Sequence, residues 1–287
     1  MRTTTISPRG FVLASHPGPT VVVTALATGL AVGVGSALGT SLLVAGAVLT
    51  GQLSVGWSND WLDAARDRAV RRAGKPVVSG LVSATALRSG ALAAVATCVV
   101  LSLSTGVVPG AAHLMAVASA WAYNLRLKAT VMSWLPYAVS FSLLLLFVVL
   151  AQPGRHAPTW WGLLAAALLG VGAHVANVLP DLEDDRVTGV EGLPHRLGHT
   201  RATGVALVAL VAATAVIVLG PPGSPSGHAL LGGCLALVLA CVAAAIALVR
   251  PRSVWPFRLS MAVAATCVAL LVAAGPDLLV ASGAVTP

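Results

Sequence analysis

Charge is what this chain has least of. Of its 287 residues only 9% are Asp, Glu, Lys or Arg, 57% are hydrophobic, and nine in all are acidic. A soluble domain carries about 25% charged residues. A chain this poor in charge has too little polar surface to cover a soluble fold, and its mean hydropathy of +0.91 points to a polytopic membrane protein. Cysteine is scarce as well. Cys98, Cys234, Cys241 and Cys267 all fall inside apolar runs with no CxxC spacing. That excludes a disulfide framework or a zinc site and predicts four buried small side chains. The N-terminal apolar run is too short, and too interrupted by Pro8, Pro17 and Pro19, to read as a signal peptide. The net charge is +8, but its basic residues sit in short loops beside apolar spans. A basic membrane face accounts for them, and nucleic acid is not an expected partner.

Long apolar runs are what the chain has in abundance. A span needs about 20 mostly apolar residues. Nine segments qualify: 20–37, 40–58, 84–104, 107–125, 133–151, 160–180, 202–220, 228–249 and 259–281. Sixteen of the seventeen Lys and Arg residues then fall on one side, and only Arg155 on the other. This bias predicts the N-terminus in the cytoplasm, the C-terminus outside and an inner-membrane location. All seven tryptophans lie near span ends, as an interfacial belt would place them.

The few carboxylates are not scattered. Asp277 stands alone, and the other eight form two groups: Asp60, Asp63 and Asp67, then Asp181, Glu183, Asp184, Asp185 and Glu191. Each group closes an even-numbered span on the basic side. At about 100° per residue, Asn59, Asp63 and Asp67 share one helical stripe, with Asp60 on the same arc. Asn177, Asp181 and Asp185 repeat that spacing. Like charges so placed repel unless a cation lies between them. Oxygen-only clusters suit Mg²⁺, which is held by one or two carboxylates plus substrate phosphates. Two such clusters facing each other would hold two Mg²⁺ ions. Arg71, Arg72 and Lys75 after the first group, with Arg126 and Lys128 after the fourth span, would clamp a bridging diphosphate. The recurrence predicts two four-helix repeats, about 18–126 and 132–250, plus a ninth helix at about 259–281, all in one domain.

These segments resemble the UbiA superfamily of intramembrane prenyltransferases. "NDWLDAARD" matches that family's NDxxDxxxD pattern, and "DLEDDRVTG" is similar to its DxxxDxxxG motif. "KPVVSG" and "YNLRLK" resemble its Lys/Arg-Pro-x-x-x-Gly and Tyr-x₄-Lys segments. The resemblance implies an all-α fold of nine transmembrane helices around a central cavity. It also implies Mg²⁺-dependent chemistry on an isoprenyl diphosphate and a small acceptor, within the bilayer. Asn59, Asp63 and Asp67 would hold one Mg²⁺, and Asp181 and Asp185 the second. Lys128, Tyr123, Arg72 and Lys75 would contact the diphosphate. His174 and Asn177 would face the acceptor, while His195 and His199 read as capping or surface residues. Where menaquinone-type members carry a basic Gly-Lys-Arg-Thr-like segment, this chain reads "GVEGLPHRLG", which argues against a naphthoquinone-precursor acceptor. Two other functions compete. One is a UbiA-type terpene cyclase, which ionises the same diphosphate but takes no acceptor. The other is a transporter, disfavoured because no carboxylate lies mid-span.

Overall fold

The computed structural model describes residues 7–72, 74–154, 156–182, 185, 189–250 and 253–281. The side chain of Asp181, and Arg155, Glu183, Asp184 and Arg186, lie outside the described residues. Ten α-helices follow one another among the described residues: α1 (Pro8–Ala14), α2 (Pro17–Gly33), α3 (Leu38–Ala69), α4 (Ala84–Ser104), α5 (Val107–Leu125), α6 (Leu135–Leu150), α7 (Trp160–Val178), α8 (Leu193–Leu219), α9 (Gly227–Val249) and α10 (Trp255–Ala273). Their starts are written in the sequence. Ser83, Thr159 and Ser226 accept main-chain N–H bonds at the N-termini of α4, α7 and α9. Proline occupies the first turn of α1, α2, α6, α8 and α10, where its missing N–H leaves nothing unpaired.

Each helix packs on the next from α2 to α10, and α10 returns to α2, so the bundle closes on itself. Its core is aliphatic, built on Leu30, Val44, Val48, Leu145, Phe147, Leu210 and Leu271, while large apolar side chains such as Val21, Val107 and Leu231 face outward. Apolar inside and out is the surface of a protein solvated by lipid. The molecule is an integral, multi-pass membrane protein. Each of the nine segments read from the sequence overlaps a helix, but 20–37 outruns α2 and 259–281 outruns α10 into a 3₁₀ turn and a strand. Among the described residues six helices are able, by length and composition, to cross a bilayer: α3, α4, α7, α8, α9 and α10. The pair α1 and α2, bent by 67°, counts as a seventh only when taken together, and α6, at 16 residues, is shorter.

Three details differ from the sequence reading. Cys98 and Cys267 are buried, but Cys234 and Cys241 are exposed on α9, where the outward face meets lipid rather than water. Trp161 is not interfacial: it is 2% exposed inside the bundle, whereas Trp160 and Trp255 are exposed. Finally, a short antiparallel ribbon pairs His156–Pro158 with Leu279–Ala281, in register His156 with Ala281. It ties the start of α7 to the end of α10, at the opposite end of α7 from the acidic segment.

α3 has 32 residues. At 1.5 Å per residue it is about 48 Å long, well beyond a hydrocarbon core of about 30 Å. Its last three turns therefore project from the apolar layer, and they carry Asp60, Asp63 and Asp67.

Candidate active site

Because α3 is unbroken through its acidic end, the Asn59, Asp63 and Asp67 stripe is realised as a continuous helix face. Asp60, Asp63 and Asp67 are all buried. A buried carboxylate needs a partner, and most of these have one. Lys128 Nζ donates to both Asp63 oxygens, at 2.5 and 2.6 Å, and Arg66 Nη2 stands 2.9 Å from Oδ2. Asp60 Oδ1 accepts from Lys75 Nζ at 2.7 Å and lies 3.0 Å from His16 Nε2. Asp60 thus turns to Lys75 and His16, not to the Asp63 and Asp67 pair whose arc it shares. Asp67 is the exception. Among the described residues its buried Oδ1 has no hydrogen-bond partner, and the nearest ion-pair nitrogen, Arg66 Nη2, is 4.0 Å away.

The chain then reverses sharply. Arg71 sits at φ 52°, a left-handed conformation that costs a non-glycine residue about 1 kcal/mol. There it follows the C-cap Val70 and closes α3, with Arg72 N donating to Asp67 O at 3.0 Å. The turn delivers the Arg72 side chain to the second acidic segment, where Nη1 lies 3.4 Å from Asp185 Oδ1. Two segments 113 residues apart are joined by this contact.

The second segment is built differently. α7 ends at Val178, and Leu179–Asp181 form a 3₁₀ turn. Pro180 explains the change, because its ring removes an N–H and crowds the preceding turn. Asn177, Asp181 and Asp185 are therefore not one α-helical stripe, and Asn177 is exposed. His195 Nε2 lies 3.4 Å from Asp185 Oδ2, although the sequence read His195 as a cap or surface residue. It is buried, carried by the five-residue start of α8 ahead of a kink at Gly198 (φ 75°) that glycine alone adopts readily. Burial opposes ionisation of Asp185, but the His195 hydrogen bond and the Arg72 charge outweigh it and hold the carboxyl below its ordinary pKa. For Lys128 the balance tips the other way: burial pushes its pKa down further than Asp63 raises it, with Arg66 and Lys75 adding repulsion.

Polar groups that the sequence reading left unassigned set the frame. Asn124 Nδ2 donates to Val55 O and Ser58 Oγ, both at 2.9 Å, and its Oδ1 accepts from Asn59 Nδ2 at 3.2 Å. This holds the Asn59 amide through its Nδ2. His174 is buried, 3.1 Å from Ser133 Oγ, which also accepts from Leu193 N at 3.0 Å. Tyr137 and Tyr123 pack on the His174 ring with centroids at 4.7 and 5.6 Å. Tyr123 thus stands beside the second segment, while Lys128, five residues on, engages the first. Polar residues at the end of an apolar span were the available signal for Asn124 and Ser133.

Among the described residues no three His, Cys, Asp or Glu side chains converge at metal-binding spacing. The donors nevertheless fit Mg²⁺. They are hard oxygens, and the buried, unpartnered Asp67 Oδ1 is an acceptor that a cation would satisfy.

A family model described as the UbiA prenyltransferase family matches residues 19–261. The chain is 32% identical over 200 residues to a bacteriochlorophyll synthase 33 kDa chain of Cereibacter sphaeroides, covering 63% of this chain and 64% of that one, so it spans under two thirds of that relative's length. A UbiA homologue from Aeropyrum pernix has a similar structure, with a TM-score of 0.73 and 21% identity, covering 88% of this chain and 96% of that one. A UbiA homologue from Archaeoglobus fulgidus, solved with GPP and Mg²⁺, has a TM-score of 0.68 and 17% identity over 91% of this chain and 99% of that one. The architecture, the order of the four motifs and the family match agree: the chain belongs to the UbiA prenyltransferase family.

Proposed function

We propose that the protein transfers a prenyl group from an isoprenyl diphosphate to a small acceptor within the membrane, in a Mg²⁺-dependent reaction. The observation that carries this reading is the meeting of the ends of α3, α5 and α7 on one face. There Lys128 reaches Asp63, and Arg72 reaches Asp185. Four carboxylates (Asp60, Asp63, Asp67, Asp185) and four cations (Arg66, Arg72, Lys75, Lys128) offset each other in that cluster. A structural ion-pair network would have little reason to gather eight charges from a chain this poor in them, since buried pairs give little net stability. A site that must bind both cations and an anion has that reason.

In this reading Asn59, Asp63 and Asp67 would hold one Mg²⁺, and Asp181 and Asp185 the other. Bound Mg²⁺ would supply positive charge to the departing diphosphate. Lys128, Arg72, Lys75 and Tyr123 hydrogen-bond the diphosphate oxygens and orient the allylic C1 toward the acceptor. The C1–O bond breaks with its electron pair passing to diphosphate. The acceptor nucleophile forms the new bond to C1 and gives its proton to the released diphosphate. His174 and Asn177 lie on the acceptor side, and the apolar bundle keeps water from the carbocation. The diphosphate and Mg²⁺ assignments draw support from the relative solved with GPP and Mg²⁺. Recurrence of an acidic segment at the ends of α3 and α7 supports two repeats plus a ninth helix. The biased Lys and Arg distribution supports nine spans, an inner-membrane location and a cytoplasmic site.

The test uses the purified protein in proteoliposomes with Mg²⁺ and labelled C10, C15 and C20 diphosphates, with and without aromatic acceptors. Prenylated acceptor should appear only when diphosphate, acceptor and Mg²⁺ are all present, and EDTA should abolish it. A hydrocarbon or terpene alcohol as main product without acceptor would instead identify a cyclase.

A further inference from the structure

α1 and its junction with α2 form a strap across the end of the bundle that carries Asp60. Ser7 N donates to Leu81 O at 3.2 Å, and Trp57 Nε1 donates to Phe11 O at 2.9 Å. Phe11 packs edge to face on Trp57, with centroids 5.3 Å apart. Gly56 of α3 lies so close to the strap that a Cβ there would meet Ser15 O at 2.7 Å. The strap therefore touches both α3 and the 76–83 segment that follows Lys75. At its corner, where α1 and α2 bend by 67°, stands His16 with φ 53° and ψ 67°. This left-handed conformation favours glycine, yet a histidine is found there.

The imidazole has a task at that corner. His16 Nε2 lies 3.0 Å from Asp60 Oδ1, the same oxygen that accepts from Lys75 Nζ at 2.7 Å. Asp60 is 2% exposed, while the His16 side chain is 42% exposed. A buried carboxylate with two donors on one oxygen is held in direction as well as in charge. The Lys75 charge is felt in turn at Lys128. Lys75 therefore lies within electrostatic reach of the cluster that faces Asp63.

We propose that His16 is a positioning residue: it fixes Asp60, and through Asp60 it holds the Lys75 ammonium at the diphosphate subsite. This rests on the prenyl-transfer reading for the role of Lys75, but the geometry stands without it. Lys75 and Lys128 are the chain's two lysines, so amine labelling reads their accessibility directly. His16→Gly keeps the left-handed corner and removes the imidazole. His16→Asn keeps the corner and restores a side-chain N–H donor.

The experiment labels the full-length protein in proteoliposomes with an amine-reactive ester and quantifies each lysine by mass spectrometry. It also measures KM for the isoprenyl diphosphate. His16→Gly should raise Lys75 labelling about threefold or more, with Lys128 labelling unchanged as the internal reference. KM should rise about three- to tenfold with kcat within about twofold, a fraction of what losing a charged hydrogen bond outright would do. His16→Asn should recover part of both effects. In a Lys75→Met background, His16→Gly should add nothing, because both act through one group. Unchanged Lys75 labelling in His16→Gly, or effects on KM that multiply in the double variant, would overturn the proposal. Absence of turnover in the unaltered protein would instead overturn the prenyl-transfer reading, and the labelling result would still decide the role of His16.

Discussion

The two acidic segments answer the same electrostatic problem with different backbones. The first sits on an unbroken 32-residue helix, and its three carboxylates are buried. The second leaves its helix at Val178, passes Pro180 in a 3₁₀ turn, and meets its partners through Arg72 and His195 from elsewhere in the chain. A rigid helix fixes the spacing of its carboxylates before anything binds. A segment whose groups are held by separate elements can adjust. The structure therefore reads as a fixed half and an adaptable half of one site, and each prediction bears on that contrast.

The largest effects should come from the carboxylates. Asp63→Ala and Asp181→Ala should each bring turnover down by well over about 100-fold, beyond what loss of an outer metal contact produces. Asp277→Ala, far from both segments in sequence, should behave as wild type. Stability should divide where activity does not. The Asp63 and Lys128 side chains are only 9% and 11% exposed, and stranding one partner of a buried pair costs about 3–5 kcal/mol. Asp185 is more open, at 17%. Thermal denaturation in detergent should show a clearly larger fall in Tm for Asp63→Ala than for Asp185→Ala. Equal falls would break the contrast between the halves.

Lys128→Met comes next. A charged hydrogen bond is worth about 1.5–3 kcal/mol, so kcat/KM should fall roughly ten- to two-hundredfold. If the bond strengthens as charge moves onto the leaving diphosphate, kcat falls along with the rise in KM. Arg126→Met is the control on the same turn: the sequence placed Arg126 in the clamp beside Lys128, but the structure leaves it exposed, and it should be dispensable. Small, equal effects from both would mean that Lys128 only sets topology.

How far the sequence reveals this contrast depends on what spacing can encode. Hydropathy marks nine apolar segments, and each overlaps a helix, though 20–37 and 259–281 run past the ends of theirs and six helices are long and apolar enough to span among the described residues; an apolar run in lipid has few other ways to satisfy its main chain. Periodicity brings Asn59, Asp63 and Asp67 onto one face correctly, since α3 stays regular throughout. The same arithmetic fails for Asn177, Asp181 and Asp185, where Pro180 interrupts the period it assumes. It cannot find Asn124, His16 or His195 at all. Their partners are set by which helix faces which, and by the turns at Arg71 and Gly198, none of which spacing along one helix records. Asp60 is the instructive case. Its arc matches that of Asp67, yet its charge is taken by Lys75 and His16, because neighbouring elements compete for a carboxylate that periodicity treats as free.

A direct probe of the adaptable half is Pro180→Ala. Restoring the N–H lets α7 continue as regular helix and would swing Asp181 and Asp185 by a fraction of a turn relative to α3. The Arg72 and His195 contacts oppose that motion, so the expected change is modest. The Mg²⁺ concentration for half-maximal rate should rise about three- to tenfold, which corresponds to roughly 0.7–1.4 kcal/mol, with little change in Tm. No shift in Mg²⁺ dependence would mean the 3₁₀ turn merely tolerates proline, and the two halves would be equally fixed.

The smallest effect should belong to Tyr123→Phe. Its ring packs edge to face on both Tyr137 and His174, at centroid distances of 5.2 and 5.6 Å. That packing survives loss of the hydroxyl, so the substitution removes only the hydroxyl's contact with Tyr137 and the proposed neutral hydrogen bond to the diphosphate. Such a bond is worth about 1 kcal/mol, giving roughly a fivefold rise in KM for the isoprenyl diphosphate with kcat nearly unchanged. A fall in kcat in place of the rise in KM would instead make the hydroxyl a participant in the chemical step. Because Tyr123 stands with the second segment and Lys128 with the first, the ratio of the two effects measures how the diphosphate is shared between the fixed and the adaptable halves. A ratio near one would place it evenly between them, and a ratio of ten or more would seat it against α3.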